Sequence, residues 1–295
     1  MTRRLLSLLL CVVFLFSLSA QAFADDDDWD DDDDDYYDDY YYDDDDSYDV
    51  DEYYENINEV MERMDSINRQ CSGGLQMEAN AVYRLVEMFA IIAGRLSQSS
   101  ETTDNIRDIL DEWDRKNDIA GSATEQIING SYRCFDLLAL IAWEMDKDDD
   151  FSDSISEYSD NFAIGNNTSQ TADQLMTNAF YSCDDLLYII ALENTTSDAK
   201  TDNINESYNG MHNTDRGLNS EVSRQLNAVN CMLAFLLHIC QELDHTSSRD
   251  WANKGRETYD EAKNFCEGIS DLNERIASKL YFCVDMAGTI ACELA

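Results

Sequence analysis

Runs of aspartate near the N-terminus are the densest group of side chains that could do chemistry. They occupy residues 25–28, 30–35 and 43–46, and hard cations such as Ca²⁺ take carboxylate oxygens as ligands. A calcium loop needs ligands at fixed spacing around a turn-forming glycine, and these runs have no such pattern. They predict diffuse, low-affinity cation binding, against the alternative of a solvated arm that only aids solubility. The candidate metal ligands are Asp30, Asp31, Asp32, Asp33, Asp34, Asp35, Asp43, Asp44, Asp45 and Asp46.

A second candidate is the group His238, Glu242 and His245, whose spacing places all three on one face of a helix. Glu242 and His245 have the Glu-x-x-His spacing of carboxylate di-iron bundles. Such a site needs two of these motifs and two further glutamates, whereas the sequence has one motif. The chain also lacks a Gly-rich phosphate loop, a nucleophile elbow and a Cys/His pair with supporting spacing. We therefore expect no enzyme activity, no catalytic or cofactor-binding residue, and no cofactor beyond weakly bound Ca²⁺.

Cysteines form a third group with reactive potential. Eight follow residue 24: Cys71, Cys134, Cys183, Cys231, Cys240, Cys266, Cys283 and Cys292. An even number in an exported chain allows disulfides, but none forms a CxxC pair, and several fall where a small apolar residue would serve as core. Helical hairpins would bring Cys134 beside Cys183, whereas a long bundle would separate them.

The first 24 residues have the pattern of a secretory signal peptide. Arg3 and Arg4 precede an apolar run from Leu5 to Leu18, and the small-residue pattern Ala22-Phe23-Ala24 ends it. The run is too short for a membrane span. The pattern predicts a cleaved bacterial signal, a periplasmic or secreted mature protein, and no membrane insertion after cleavage.

The charge of the chain limits its partners. The formal net charge is −42; residues 25–55 hold 18 Asp and 2 Glu without Lys or Arg, and residues 56–295 still carry −24. Nucleic-acid binding rests on Lys and Arg that neutralise phosphates, so we expect no nucleic-acid partner and favour a cationic protein or surface. Residues 25–55 have little apolar area to bury, which predicts a disordered Asp/Tyr-rich arm.

Residues 56–295 predict an all-α array of about five helical units, since the chain contains no proline and its apolar pattern recurs every 49 residues. Asn80, Asn129, Asn178 and Asn227 are spaced by 49, and the apolar blocks that follow begin at Tyr83, Tyr132, Tyr181, Asn230 and Tyr281, the last at an offset of 51. The predicted units are 56–98, 103–146, 152–195, 201–244 and 253–295. Thr103, Ser152 and Thr201, each followed by Asp, read as helix starts.

Two architectures fit this repeat. Forty-nine residues are seven heptads, and an apolar seam such as Ile106, Trp113, Ile127, Cys134 and Ile141 runs through a whole unit. Glycines near the middle of each unit lie at different offsets, which favours one long helix per unit in an up-down, coiled-coil-like bundle. The capping box Ser122 to Glu125 favours the alternative, a solenoid of helical hairpins.

The sequence repeats one helical unit and has no single cluster of polar residues with the spacing of a catalytic site. It therefore predicts a non-enzymatic structural or interaction scaffold whose polyanionic arm contacts cationic partners. The heptad seam also permits an oligomer. The alternative function is a secreted protein that binds Ca²⁺ or another metal cation weakly through the aspartate arm.

Overall fold

The computed structural model describes residues 50–97, 99–145, 149–195, 197–243 and 251–294. These residues form an all-α protein, which confirms the predicted fold class. Ten helices and no strands occur in these ranges: α1 Val50–Asn68, α2 Gly74–Leu96, α3 Ser100–Asp118, α4 Ala123–Met145, α5 Asp149–Thr168, α6 Ala172–Asn194, α7 Asp198–Asp215, α8 Glu221–Leu243, α9 Trp251–Glu267 and α10 Leu272–Leu294. The predicted signal peptide and most of the predicted arm lie outside them.

Each predicted unit is a helical hairpin, so the preference for one long helix per unit was wrong. The turn before α4 shows why the chain reverses. Ser122 Oγ accepts the Glu125 amide at 3.3 Å, and Glu125 Oε2 accepts the Gly121 amide at 2.6 Å. This capping box satisfies two backbone donors that a new helix leaves without partners. A new helix therefore begins in the middle of the unit, although the heptad register suggested one continuous helix.

Caps of the same kind begin the later second helices of the hairpins. Thr171 Oγ1 accepts the Gln174 amide, Ser220 Oγ accepts the Ser223 amide, and Asp271 Oδ1 accepts the Glu274 amide, at 3.0 to 3.2 Å. With Ser122 these caps are spaced by 49, 49 and 51 residues. The turns therefore repeat even though the glycines near them do not.

The predicted starts at Thr103, Ser152 and Thr201 were wrong by three residues. The corresponding helices begin at Ser100, Asp149 and Asp198. At α3 the cap is Ser99, whose Oγ accepts the Thr102 amide at 3.2 Å. An N-cap residue itself has an extended backbone, as Ser99 has, whereas Thr103 already lies within the helix. Helix α1 begins at Val50, so its first turns overlap residues 50–55, the end of the predicted arm.

The second helices of the five hairpins form a closed ring. We call α2, α4, α6, α8 and α10 the inner helices and the others the outer helices. Each inner helix is 23 residues long and packs on the next one in the chain, and α10 packs on α2. The outer helices lie in the grooves outside this ring. The described helices are therefore arranged as hairpins whose inner helices close into a ring.

The inner helices are held together by apolar layers that repeat around the ring. One layer is made by isoleucines that are each 3 to 4 % exposed: Ile92, Ile141, Ile190, Ile239 and Ile290. Burying an aliphatic side chain of this size contributes roughly 1.5–3 kcal/mol. Each outer helix from α1 to α7 adds one buried isoleucine at the same 49-residue spacing: Ile57, Ile106, Ile155 and Ile204. The predicted seam is thus core.

Ring closure is built from close contacts along the whole length of α2 and α10. At one end, a Cβ on Gly74 would lie 2.7 Å from the Glu274 backbone nitrogen, so the two helix starts approach closely only because residue 74 is glycine. At the other end, Arg95 Nε donates to the Leu294 carbonyl at 2.9 Å. Between these ends, Asn80 Nδ2 donates to Tyr281 Oη at 3.1 Å.

Among the described helices, α8 alone has the length and apolar composition that could cross a membrane. Most of its apolar stretch is buried within the ring, which is also how a core helix passes the same test.

Candidate functional site

The aspartates predicted as metal ligands, Asp30 to Asp35 and Asp43 to Asp46, lie outside the described residues, as does His245. The other two members of the histidine group are already engaged. Glu242 forms an ion pair with Lys200, and His238 Nε2 lies 3.4 Å from Ser207 Oγ. In the part of the chain that the structure describes, no three His, Cys, Asp or Glu side chains are placed to hold a metal ion.

Six of the eight cysteines from Cys71 to Cys292 are buried, and these six are free thiols. Burial raises the pKa of the Cys134 and Cys183 thiols, because a thiolate loses its hydration there. Cys183 Sγ contacts the Ser131 carbonyl at 3.7 Å, across the α4–α6 junction. A protonated, buried thiol is a poor nucleophile, so these cysteines serve as core side chains in this state.

The repeated asparagines fasten each inner helix to the outer helix of its own hairpin. Asn80 Nδ2 donates to the Met64 carbonyl at 3.1 Å, and Asn227 Nδ2 donates to the Met211 carbonyl at 3.0 Å. Asn178 Nδ2 makes the corresponding contact with the Phe162 carbonyl at 3.3 Å. Asn129 Nδ2 reaches a carbonyl of its own outer helix three residues further along, that of Lys116, at 3.5 Å. The 49-residue asparagine spacing therefore reports a structural contact, and α10 carries Ser278 at this position.

The repeated tyrosines fill the junction between each inner helix and the next outer helix. Tyr83 and Tyr132 pack on Trp113 and Phe162, with ring centroids 4.1 and 5.1 Å apart. Tyr181 Oη donates to Asp215 Oδ1 at 2.8 Å and Tyr281 Oη donates to Asn68 Oδ1 at 2.9 Å. The Tyr281 contact joins the last hairpin to the first, so ring closure uses the contact that joins neighbouring hairpins. The α8 equivalent is Asn230.

Two buried carboxyl groups stand apart from this network. Glu78 and Asp184 are 0 % exposed, and none of their carboxyl oxygens has a hydrogen-bond partner. Burial, with a further contribution from Asp173, raises the pKa of Glu78 to about 8. Burial, with a further contribution from Asp185, raises the pKa of Asp184 well above its usual range. Both groups are therefore protonated and uncharged in mildly acidic solution.

Arg133, the largest fully buried side chain among the described residues, forms ion pairs with two acids. Its Nη1 lies 3.1 Å from Glu112 Oε2 and 3.2 Å from Asp136 Oδ2. Burial raises the pKa of Asp136 to about 6, against the opposing effect of Arg133. Removing one partner of such a group leaves a buried charge without compensation. This cluster joins α3 to α4 and is structural.

The concave regions in the described part of the chain include two on its outer surface. The first, of about 300 Å³, lies between α8, α9 and α10, where Asn230 replaces the tyrosine. The second is a groove of about 490 Å³ beside the closure of the ring, with methionine and phenylalanine side chains and an acidic rim. The sequence signal for the first was the odd residue at 230 in an otherwise aromatic position.

Comparison of the chain with family models, curated proteins and solved structures finds no match.

Proposed function

We propose that the protein is an exported, non-enzymatic interaction scaffold, in which the helical ring carries an acidic arm that binds cationic partners. The observation that carries this proposal is that the repeated polar residues of the core form hydrogen bonds between helices. Asn80, Asn227, Tyr181 and Tyr281 all join helices to one another. Within the described residues these contacts hold the ring together.

We also propose that the ring arose by duplication of one hairpin, giving five copies after an acidic arm. The asparagine, tyrosine and isoleucine positions described above support this origin. Closure explains why the fifth copy can keep the pattern, because α10 has a neighbour on both sides. An open array would need a polar outer face on its terminal repeat.

The charge distribution supports a cationic partner. Residues 25–55 carry 20 acids without a base, and residues 56–295 carry −24. Fields of this sign steer cations and repel anionic surfaces over a Debye length, roughly 8 Å at physiological ionic strength. An extended arm with this charge can bind a basic surface without a preformed pocket.

A variant of the mature chain with the ten candidate ligands Asp30–Asp35 and Asp43–Asp46 changed to Asn tests the proposal. The probe is a peptide of ten lysines, and the measurement is fluorescence anisotropy over a salt series. We expect the native chain to bind with an affinity that falls steeply with salt, and the variant to bind at least about tenfold more weakly.

The matched control removes ten exposed carboxylates from the outer helices. They are Glu101, Asp108, Asp111, Asp153, Glu157, Asp160, Asp202, Glu206, Glu257 and Glu261, changed to Gln or Asn. If the control loses as much affinity as the arm variant, binding is a general property of the negative charge and the arm has no special role. If the native chain does not bind the peptide, the proposal fails.

The alternative function is weak binding of Ca²⁺ or another cation by the same aspartates, favoured by their number and density. Calorimetric titration of the native chain and the ten-residue Asn variant with CaCl₂ separates the two. Heat that the variant loses, without any binding of the lysine peptide by the native chain, supports the alternative. The absence of calcium heat at physiological salt excludes it.

A further inference from the structure

The cavity between α8, α9 and α10 combines positive charge with an apolar wall. Lys263, Arg275 and Lys279 line it, and the only acid among the lining residues is Glu267. The rest of the wall comes from Leu226, Asn230, Leu233, Tyr259 and Cys266. Three cations around one concavity are unusual in a chain with 62 acids and 20 bases. The packing of α8, α9 and α10 accounts for this arrangement.

The cavity exists because one aromatic residue is missing from the ring. At four junctions a tyrosine of the inner helix packs on the next outer helix, as Tyr83 does on Trp113 and Tyr281 does on Asn68. At the α8 junction the equivalent residue is Asn230, and the space between α8 and α9 remains open. An asparagine is shorter than a tyrosine and polar, so it leaves room and offers a hydrogen-bonding group.

The facing helix changes at the same junction. Positions equivalent to 279 are small in the other inner helices: Ala81, Gly130, Ala179 and Ala228. A Cβ on Gly130 would lie 2.6 Å from Val82 Cγ1, which shows how tightly such a junction closes. In α10 this position is Lys279, partly buried. At this junction Lys279 therefore stands in place of a small residue, and Asn230 stands in place of a tyrosine.

The cations of the cavity retain hydrogen-bonding capacity. Lys263 and Lys279 form no ion pair in the described part of the chain. Arg275 donates from Nε to the Ile269 carbonyl at 2.8 Å and from Nη2 to the same oxygen, which fixes the guanidinium and leaves Nη1 for a ligand. Burial raises the pKa of the adjacent Cys266 thiol, and Lys279 and Arg275 oppose that rise.

For an anion in the cavity, the three lining cations matter more than the net negative charge of the whole protein. The acids of the outer surface repel an anion at long range, but salt screens charges beyond roughly 8 Å at physiological ionic strength. Inside the cavity the nearest charges are three cations and one carboxylate. An oxyanion there would receive charge-assisted hydrogen bonds, which are about twice as strong as neutral ones.

We propose that this cavity binds a small organic anion that carries two or more negative oxygens, of the phosphate-ester or polycarboxylate class. Lys263, Arg275 and Lys279 contact the charged group, and Tyr259 and Asn230 supply polar contacts beside it. The volume of about 300 Å³ is at the lower end for ligand pockets, so the ligand is small. Leu226 and Leu233 provide an apolar wall for its carbon skeleton.

Calorimetric titration of the mature chain with pyrophosphate and with citrate tests the proposal, at physiological ionic strength. We expect saturable binding of at least one anion at a stoichiometry of one, and the tighter of the two distinguishes the phosphate class from the carboxylate class. Lys279→Met should weaken binding at least about tenfold. Asn230→Tyr should abolish it while preserving or raising the melting temperature, because the tyrosine fills the cavity as it does at the other junctions.

Arg256→Met is the matched control, since Arg256 is exposed on α9, pairs with Asp260 and does not line the cavity. It should bind both anions as the native chain does. Absence of binding by the native chain, or equal binding by the native chain and Lys279→Met, overturns the proposal. If Asn230→Tyr fails to fold, Lys279→Met decides the question, because its helices lose only a partly exposed charge.

Discussion

Asn80 and Asn227 occupy the same position in two hairpins and make the same pair of contacts. Each donates to a carbonyl of its own outer helix and to the hydroxyl of a tyrosine on the preceding inner helix. For Asn227 that tyrosine precedes it in the chain, whereas for Asn80 it is Tyr281, 201 residues later. The 49-residue spacing predicted that these asparagines are equivalent. It could not identify the tyrosine partners, because one of them comes from the far end of the sequence.

Substituting these asparagines tests whether the contact between the last and first hairpins stabilises the protein as much as the contact between two neighbouring hairpins. Asn80→Ala and Asn227→Ala should each lower the free energy of unfolding by about 1–3 kcal/mol, because buried partners are left unsatisfied. Asn264→Ala, at an exposed position of α9, should have little effect. Urea unfolding monitored by circular dichroism measures all three. A loss for Asn227→Ala without a loss for Asn80→Ala would contradict the Tyr281 contact.

Glu78 gives stability a defined dependence on pH. Burial raises its folded-state pKa from 4.5 to about 8, so the folded protein holds a proton that the unfolded chain releases above pH 4.5. The contribution is fully present below pH 4.5 and is lost as pH rises through 8. At 1.36 kcal/mol per pKa unit the loss is on the order of 5 kcal/mol.

Glu78→Gln removes this titration while keeping the shape of the side chain. We expect the variant to unfold at higher urea concentration than the native chain at pH 8.5, and at a similar concentration at pH 4. Glu257→Gln, at an exposed position of α9, should leave the pH dependence unchanged. Parallel curves for the native chain and Glu78→Gln between pH 4 and 8.5 would show that Glu78 is not buried as a neutral acid.

At the scale of the helices, the sequence predicted the helical class but not the hairpins. The mid-unit glycines lie at different offsets, which argued against a turn. The decisive signal was the row of cap residues Ser122, Thr171, Ser220 and Asp271, whose chemistry is constant even where the glycine moves. A heptad register can pass through a tight turn, so the continuous seam did not distinguish the two architectures.

Gly74 and Gly73 offer a matched pair for testing how α2 meets α10. A Cβ at residue 74 would lie 2.7 Å from the Glu274 nitrogen and 2.8 Å from the Asn273 carbonyl carbon, whereas a Cβ at residue 73 meets nothing within 4 Å. Gly74→Ala should destabilise the protein by about 1–3 kcal/mol because the helix starts must separate. Gly73→Ala should change stability by less than about 0.5 kcal/mol. Equal melting temperatures for the two variants would contradict the close approach.

At the scale of the whole molecule, closure determines which surfaces remain for function. An open solenoid would offer a concave face and two ends, whereas the ring packs each inner helix against two inner neighbours. The outer surface, the cavity beside Asn230 and the acidic residues 25–55 are the regions on which the proposed functions rest. Sequence repetition indicated stacking but could not give the rotation between hairpins, on which closure depends. Small residues such as Gly74 and Gly130 allow the close helix contacts of the ring.

Hydrogen exchange of the mature chain, measured by mass spectrometry, tests the closed ring most directly. In a closed ring α2 and α10 have a full set of neighbours, so their amides should be protected to within about tenfold of those in α6. In an open array these two helices are terminal and unfold locally first. Exchange in α2 and α10 that is about a hundredfold faster than in α6 would contradict the ring; similar protection in all three helices is the result that we predict.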